Sequence, residues 1–177
     1  MFIKLKHNFS KPIFTTVSGL DSFAGIGDKG VRHKKVYSPD YEEFYKVIPK
    51  RYWDDFYFSL MTINAAVLPH VDSDIKTTIN FYLKTDNCRT TFYEQKSEKQ
   101  ADIIEQMEYV NSVYDFDNVR EIASFTAKEH EAWLLDVNSI HTVIPEGVID
   151  CRRALALRTN KYNYSQVYDM LIETGNL

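Results

Sequence analysis

A chain of 177 residues, 44% of them hydrophobic and 14% aromatic, is long enough for a single domain around one substantial core and too apolar to be disordered. A formal charge of −4 argues against a broad electrostatic surface for nucleic acid. Cys88 and Cys151 are too few for a disulfide framework and lack zinc-site pairing, and no apolar run approaches a signal peptide or the roughly 18–20 residues of a membrane span, so a soluble cytoplasmic protein is expected.

In chain order, residues 1–16 read as an edge or irregular strand interrupted by Pro12. Residues 18–32 collect Gly19, Gly25, Gly27 and Gly30 but lack the Gly-Lys-Ser/Thr ending of a phosphate loop, so a plain loop is expected. Ser38 as N-cap, Pro39 at the first helical position and Asp40, Glu42 and Glu43 in the first turn predict a helix running to about Val47 and stopping before Pro49. From Tyr52 the texture turns to β, and the aromatic group Tyr52, Trp53, Phe56, Tyr57 and Phe58 reads as core in preference to a cavity wall.

The strand at 76–83 carries the clearest alternation: Thr77, Ile79, Phe81 and Leu83 share one face, and Thr78, Asn80 and Tyr82 the other. One face suits a core and the other a polar cavity. A turn at 85–87 leads to a strand at 89–93, and residues 97–109, charged with Ile103, Ile104 and Met107 at helical spacing, predict an inserted, mostly exposed helix. Strands follow at 122–126, 131–137, 139–144 and 152–159, with a helix at 165–171. His130-Glu131 reads as an exposed strand start, and His7 and His33, near lysines, as solvent-facing. Many short strands with a few peripheral helices predict a mainly β sandwich or jelly roll, which brings distant segments to one mouth.

Three residues stand out chemically. His70 and Asp72, two apart, project to one face of an extended segment, and His141 lies on a later apolar strand. Two imidazoles and one carboxylate are the ligand set of a non-haem Fe(II) site with open positions. The competing reading is that each is an ordinary structural residue. Further on, alternation in Arg152-Arg153-Ala154-Leu155-Ala156-Leu157-Arg158 puts Arg152, Ala154, Ala156 and Arg158 on one face. A guanidinium beside small residues fits a pocket for a carboxylate, whereas Arg153 reads as a surface residue.

His70-Val71-Asp72, the polar strand 77–83, His141-Thr142-Val143 and Arg152-Arg153-Ala154-Leu155 together resemble the 2-oxoglutarate- and Fe(II)-dependent oxygenases over roughly residues 55–160. The resemblance implies a double-stranded β-helix, the cupin-like jelly roll, with His70, Asp72 and His141 as iron ligands. It implies Arg152 as the anchor for the distal carboxylate of 2-oxoglutarate, with Arg153 or Arg158 as the alternatives. Ala154 stands where many members have a serine, so the second contact to the co-substrate falls to Asn80, Tyr82 or Thr78. The implied reaction consumes O2, converts 2-oxoglutarate to succinate and CO2, and most often hydroxylates a C–H bond. A protein side chain or a small amino-acid-like metabolite fits as substrate; nucleic acid and membrane do not. Two other readings remain: a cupin-like metal enzyme that does not use 2-oxoglutarate, and a non-catalytic β-sandwich binding module.

Overall fold

The computed structural model describes residues 1–10, 31–36, 42–63, 66–72, 74–96, 102–106, 109–144 and 152–177, with the backbone alone at 31–36, 42, 102–106 and 109–111. Twelve strands are described: β1 (Phe2–Lys4), β2 (Val31–Val36), β3 (Tyr57–Ile63), β4 (His70–Asp72), β5 (Thr77–Lys84), β6 (Arg89–Gln95), β7 (Asp102–Gln106), β8 (Tyr109–Val113), β9 (Val119–Thr126), β10 (Ala132–Leu135), β11 (His141–Ile144) and β12 (Arg152–Thr159). Two helices accompany them, α1 (Glu42–Tyr45) and α2 (Tyr164–Glu173).

The strands form two six-stranded antiparallel sheets, ordered β1-β10-β5-β12-β3-β2 and β7-β8-β4-β11-β6-β9. Within them β3, β5, β10 and β12 lie in the first sheet and β4, β6, β9 and β11 in the second. The chain therefore crosses between sheets at β3–β4, β4–β5, β5–β6, β9–β10, β10–β11 and β11–β12, the winding of a double-stranded β-helix. The fold is mainly β, a cupin-like jelly roll with peripheral helices.

The alternation read in β5 and β12 decides how the first sheet packs. Ile79, Phe81, Leu83, Leu155 and Leu157 turn outward from the sandwich into a core with Phe44, Phe56 and Phe58. Helix α2 seals that core with Val167, Met170 and Leu171, three residues at helical spacing, and its start is fixed by a capping box between Asn163 and Gln166. Tyr52 and Trp53 pack on the same core and Tyr57 on the second cluster, so the aromatic group is structural. The opposite face of the sheet looks across to the second sheet.

Three expectations change. Residues 102–106 and 109–113 are a β-hairpin, β7–β8, instead of a helix. Neighbouring β-branched Ile103 and Ile104 suit a strand as well as a helix, and the pairing of β8 with β4 decides the matter. The predicted helix start at Ser38–Pro39 lies outside the described residues, as do the four loop glycines, Met107 and Cys151. Helical backbone ends at Tyr45, and Lys50–Asp55 forms a 3₁₀ turn where strand texture was expected to begin. Glu131 is 7% exposed instead of solvated, because Lys4, the Lys128 amide and the Trp133 indole all donate to it. His7 is exposed, while the side chain of His33 is not described.

Candidate metal centre

Strand β4 is only three residues long, yet it is paired on both sides, with His141 of β11 opposite His70 and with Asn111 of β8 opposite Asp72. Period-two geometry then sends His70 and Asp72 to one face, and the register brings His141 beside them. The imidazole rings of His70 and His141 lie 4.4 Å apart between centroids. One nitrogen or oxygen from each of His70, Asp72 and His141 falls within 4.8 Å of the others, the one such cluster among the described residues.

The backbone sets the tautomers. Nδ1 of His70 lies 2.8 Å from the Leu68 carbonyl, and Nδ1 of His141 lies 3.0 Å from the Ser139 carbonyl. A carbonyl only accepts, so each Nδ1 donates and each Nε2 is the nitrogen left for the cluster. Nε2 of His70 is 3.4 Å from Oδ1 of Asp72. The other carboxylate oxygen, Oδ2, accepts from Nη2 of Arg158 at 3.0 Å.

The charges respond to this arrangement. Burial alone would raise the Asp72 carboxyl, but the hydrogen bond from His70 and the charge of Arg158 hold it far below the usual carboxylate range. Burial alone would lower His70; the hydrogen bond and charge of Asp72 outweigh it and raise the imidazole above its ordinary 6.5. Burial, aided by the charge of His70, pushes His141 down to about 4. At neutral pH the cluster thus offers one fixed negative charge and a neutral His141, while Asp72 favours a proton on His70 that a bound cation would displace.

The cluster opens into a narrow cavity between the two sheets. Thr78, Asn80, Arg152, Ala156 and Arg158 reach it from the first sheet, while Met61, Ile63, Val67 and Val143 supply apolar lining. Arg152, 1% exposed, donates from Nη2 to Thr90 Oγ1 at 2.9 Å, and its guanidinium lies 4.6 Å over the Tyr82 ring. Tyr82 lies deeper, against Phe125 in the second hydrophobic cluster, and its buried hydroxyl has no hydrogen-bond partner among the described residues. Asn80 accepts from the Thr78 hydroxyl at 3.2 Å through Oδ1, which leaves the amide NH2 for other partners. Arg153 is exposed.

Six of the seven residues singled out in the sequence line one cavity, whereas Tyr82 does not line it and packs in the apolar cluster beneath Arg152. One participant and one contact were missed. Thr90, which orients Arg152, shares the inward face of β6 with Phe92, and that alternation was the available signal. The contact between Arg158 and Asp72 joins residues 86 apart in sequence and left no local signal.

No family model matches the chain, and no curated protein matches it. Among solved structures, E. coli ycfD is similar with a TM-score of 0.48 and 10% identity over 86% of this chain and 39% of that one. The vicilin of Solanum melongena is similar with a TM-score of 0.43 and 15% identity over 76% of this chain and 30% of that one. The vicilin of Corylus avellana gives 0.43 and 12% over 75% and 29%. This chain spans well under half the length of the solved chains it matches, and the jelly-roll assignment rests on the strand order itself.

Proposed function

We propose that the protein is a non-haem Fe(II)- and 2-oxoglutarate-dependent oxygenase that hydroxylates a protein side chain or a small amino-acid-like metabolite. The observation that carries this reading is the convergence of His70, Asp72 and His141 within 4.8 Å on one wall of a cavity whose opposite wall carries a buried Arg152. The donor set fits the metal, because two imidazole Nε2 atoms, that of His70 once its proton is displaced, and one carboxylate suit Fe(II) and leave positions for other ligands. The Arg152 guanidinium, buried on the cavity wall, fits a carboxylate at that end of the cavity.

In this reading His70, Asp72 and His141 hold the metal, with their Nδ1–H groups and Arg158 keeping them aligned. Arg152, steadied by Thr90, grips the distal carboxylate of the co-substrate, and Asn80 and Thr78 present hydrogen-bonding groups beside it. Met61, Ile63, Val67 and Val143 exclude water from the reacting C–H bond. When bound, the iron supplies the activation of O2 that drives decarboxylation of 2-oxoglutarate.

Anaerobic titration with Fe(II), then with 2-oxoglutarate, tests this directly. The expected result is one metal per chain, a new visible absorption when 2-oxoglutarate is added, and succinate release once air is admitted. Metal binding with no response to 2-oxoglutarate would leave a metal-dependent jelly roll of another chemistry. No metal binding at all would end the proposal.

A further inference from the structure

A carboxylate can meet a metal through one oxygen or through two, and the choice decides how many positions stay open. In Asp72 the two oxygens are already distinguished. Oδ2 is held at 3.0 Å by Nη2 of Arg158, which is itself only 3% exposed, while Oδ1 points to the cluster, 3.4 Å from Nε2 of His70. The backbone that carries Arg158 is fixed, because β12 is paired there on both sides, with Tyr57 of β3 and Thr78 of β5, and its side chain is buried. A buried, charge-assisted hydrogen bond is roughly twice as strong as a neutral one, so it competes effectively for Oδ2.

We propose that Arg158 is a positioning residue that makes Asp72 a one-oxygen ligand by holding Oδ2, and thereby keeps a third position open on the metal. This rests on the metal reading above. With two imidazoles and one carboxylate oxygen, an octahedral ion retains three positions, enough for a two-point co-substrate and a third small molecule. A carboxylate bound through both oxygens would leave two. The role differs from that of an anion anchor, because Arg158 acts through Asp72 and its charge is already matched by that carboxylate.

Co(II) loading of the full chain tests this by visible absorption and X-ray absorption, neither of which needs turnover. In the wild-type protein one carboxylate oxygen is expected on the metal. Arg158→Met is expected to move the spectra to a two-oxygen carboxylate, and to raise the 2-oxoglutarate concentration that perturbs them by at least about tenfold. Arg158→Lys, which keeps the charge and an N–H donor, is expected to restore the wild-type spectra. Identical spectra for wild type and Arg158→Met overturn the proposal, even if 2-oxoglutarate binding is lost, since that pattern belongs to an anchor. Should the methionine variant fail to fold, the wild-type spectrum decides, with two carboxylate oxygens overturning the proposal and one supporting it. A wild-type chain that takes up no Co(II) instead removes the metal reading itself.

Discussion

The two faces of the β5–β12 pair are built from the same strands and do opposite work. Outward, Ile79, Phe81, Leu155 and Leu157 are each at most 1% exposed and meet aromatic rings and helix α2. Inward, Thr78, Asn80, Arg152 and Arg158 are nearly as buried, but among polar partners beside a cavity. Burying Leu155 and Leu157 stabilises the fold by about 1.5–3 kcal/mol each. Burying two guanidiniums costs free energy that their partners only offset. The apolar face therefore carries the stability that lets the polar face hold charge out of water.

The comparison breaks most visibly on the apolar side. Leu157→Ala is expected to lower stability by about 2–5 kcal/mol in chemical denaturation, while the folded fraction still takes up metal with wild-type affinity. A comparable loss of metal affinity would mean that the two faces are not separable. On the polar side, His141→Ala is expected to weaken Fe(II) binding by about 100-fold or more, read by anaerobic titration, with the outward core unchanged in its near-ultraviolet signature. Arg152→Gln is expected to cost about 1.5–3 kcal/mol in 2-oxoglutarate binding and to leave metal affinity intact. If metal affinity falls with it, Arg152 belongs to the metal wall and not to an anchor.

Acid sharpens the contrast without a substitution. His141 is held near 4 by burial and the charge of His70, so between pH 6.5 and 4 the unfolded chain binds a proton there that the folded chain does not. Stability of the metal-free protein should consequently fall as pH drops through that window. His70, raised above 6.5, is protonated in both states only well below 6.5 and adds no slope there; its own contribution is fully present below 6.5 and lost as pH rises through its folded value. Asp72, strongly depressed, loses its contribution only as pH falls past the ordinary carboxylate range. Denaturant titrations at stepped pH, with His141→Asn as the control that flattens the slope, measure this. The smallest effect belongs to the scaffold edge, where Asn163→Ala should cost about 1 kcal/mol by removing the α2 cap.

Among the described residues, no helix is long and apolar enough to cross a membrane. The strands of the core were legible wherever a side-chain period of two survives in the sequence, as in Thr77–Lys84 and Arg152–Thr159. Residues 102–113 were not, because a short apolar run with Ile103 and Ile104 fits either period, and only the partner strand β4 resolves it. Glu131 was misread for a similar reason: Lys4 lies 127 residues away.

The sequence by itself determined the alternation of the core strands and the residue types of the cavity: His70, Asp72, His141 and the two arginines of one face. These are local properties, fixed by the pleat and by side-chain chemistry. Only the tertiary structure decided the pairing of β4 with β8, the Nδ1 contacts that leave each Nε2 to the cluster, and the grip of Arg158 on one oxygen of Asp72. Register between strands far apart in sequence sets those distances, and no spacing along the chain encodes them.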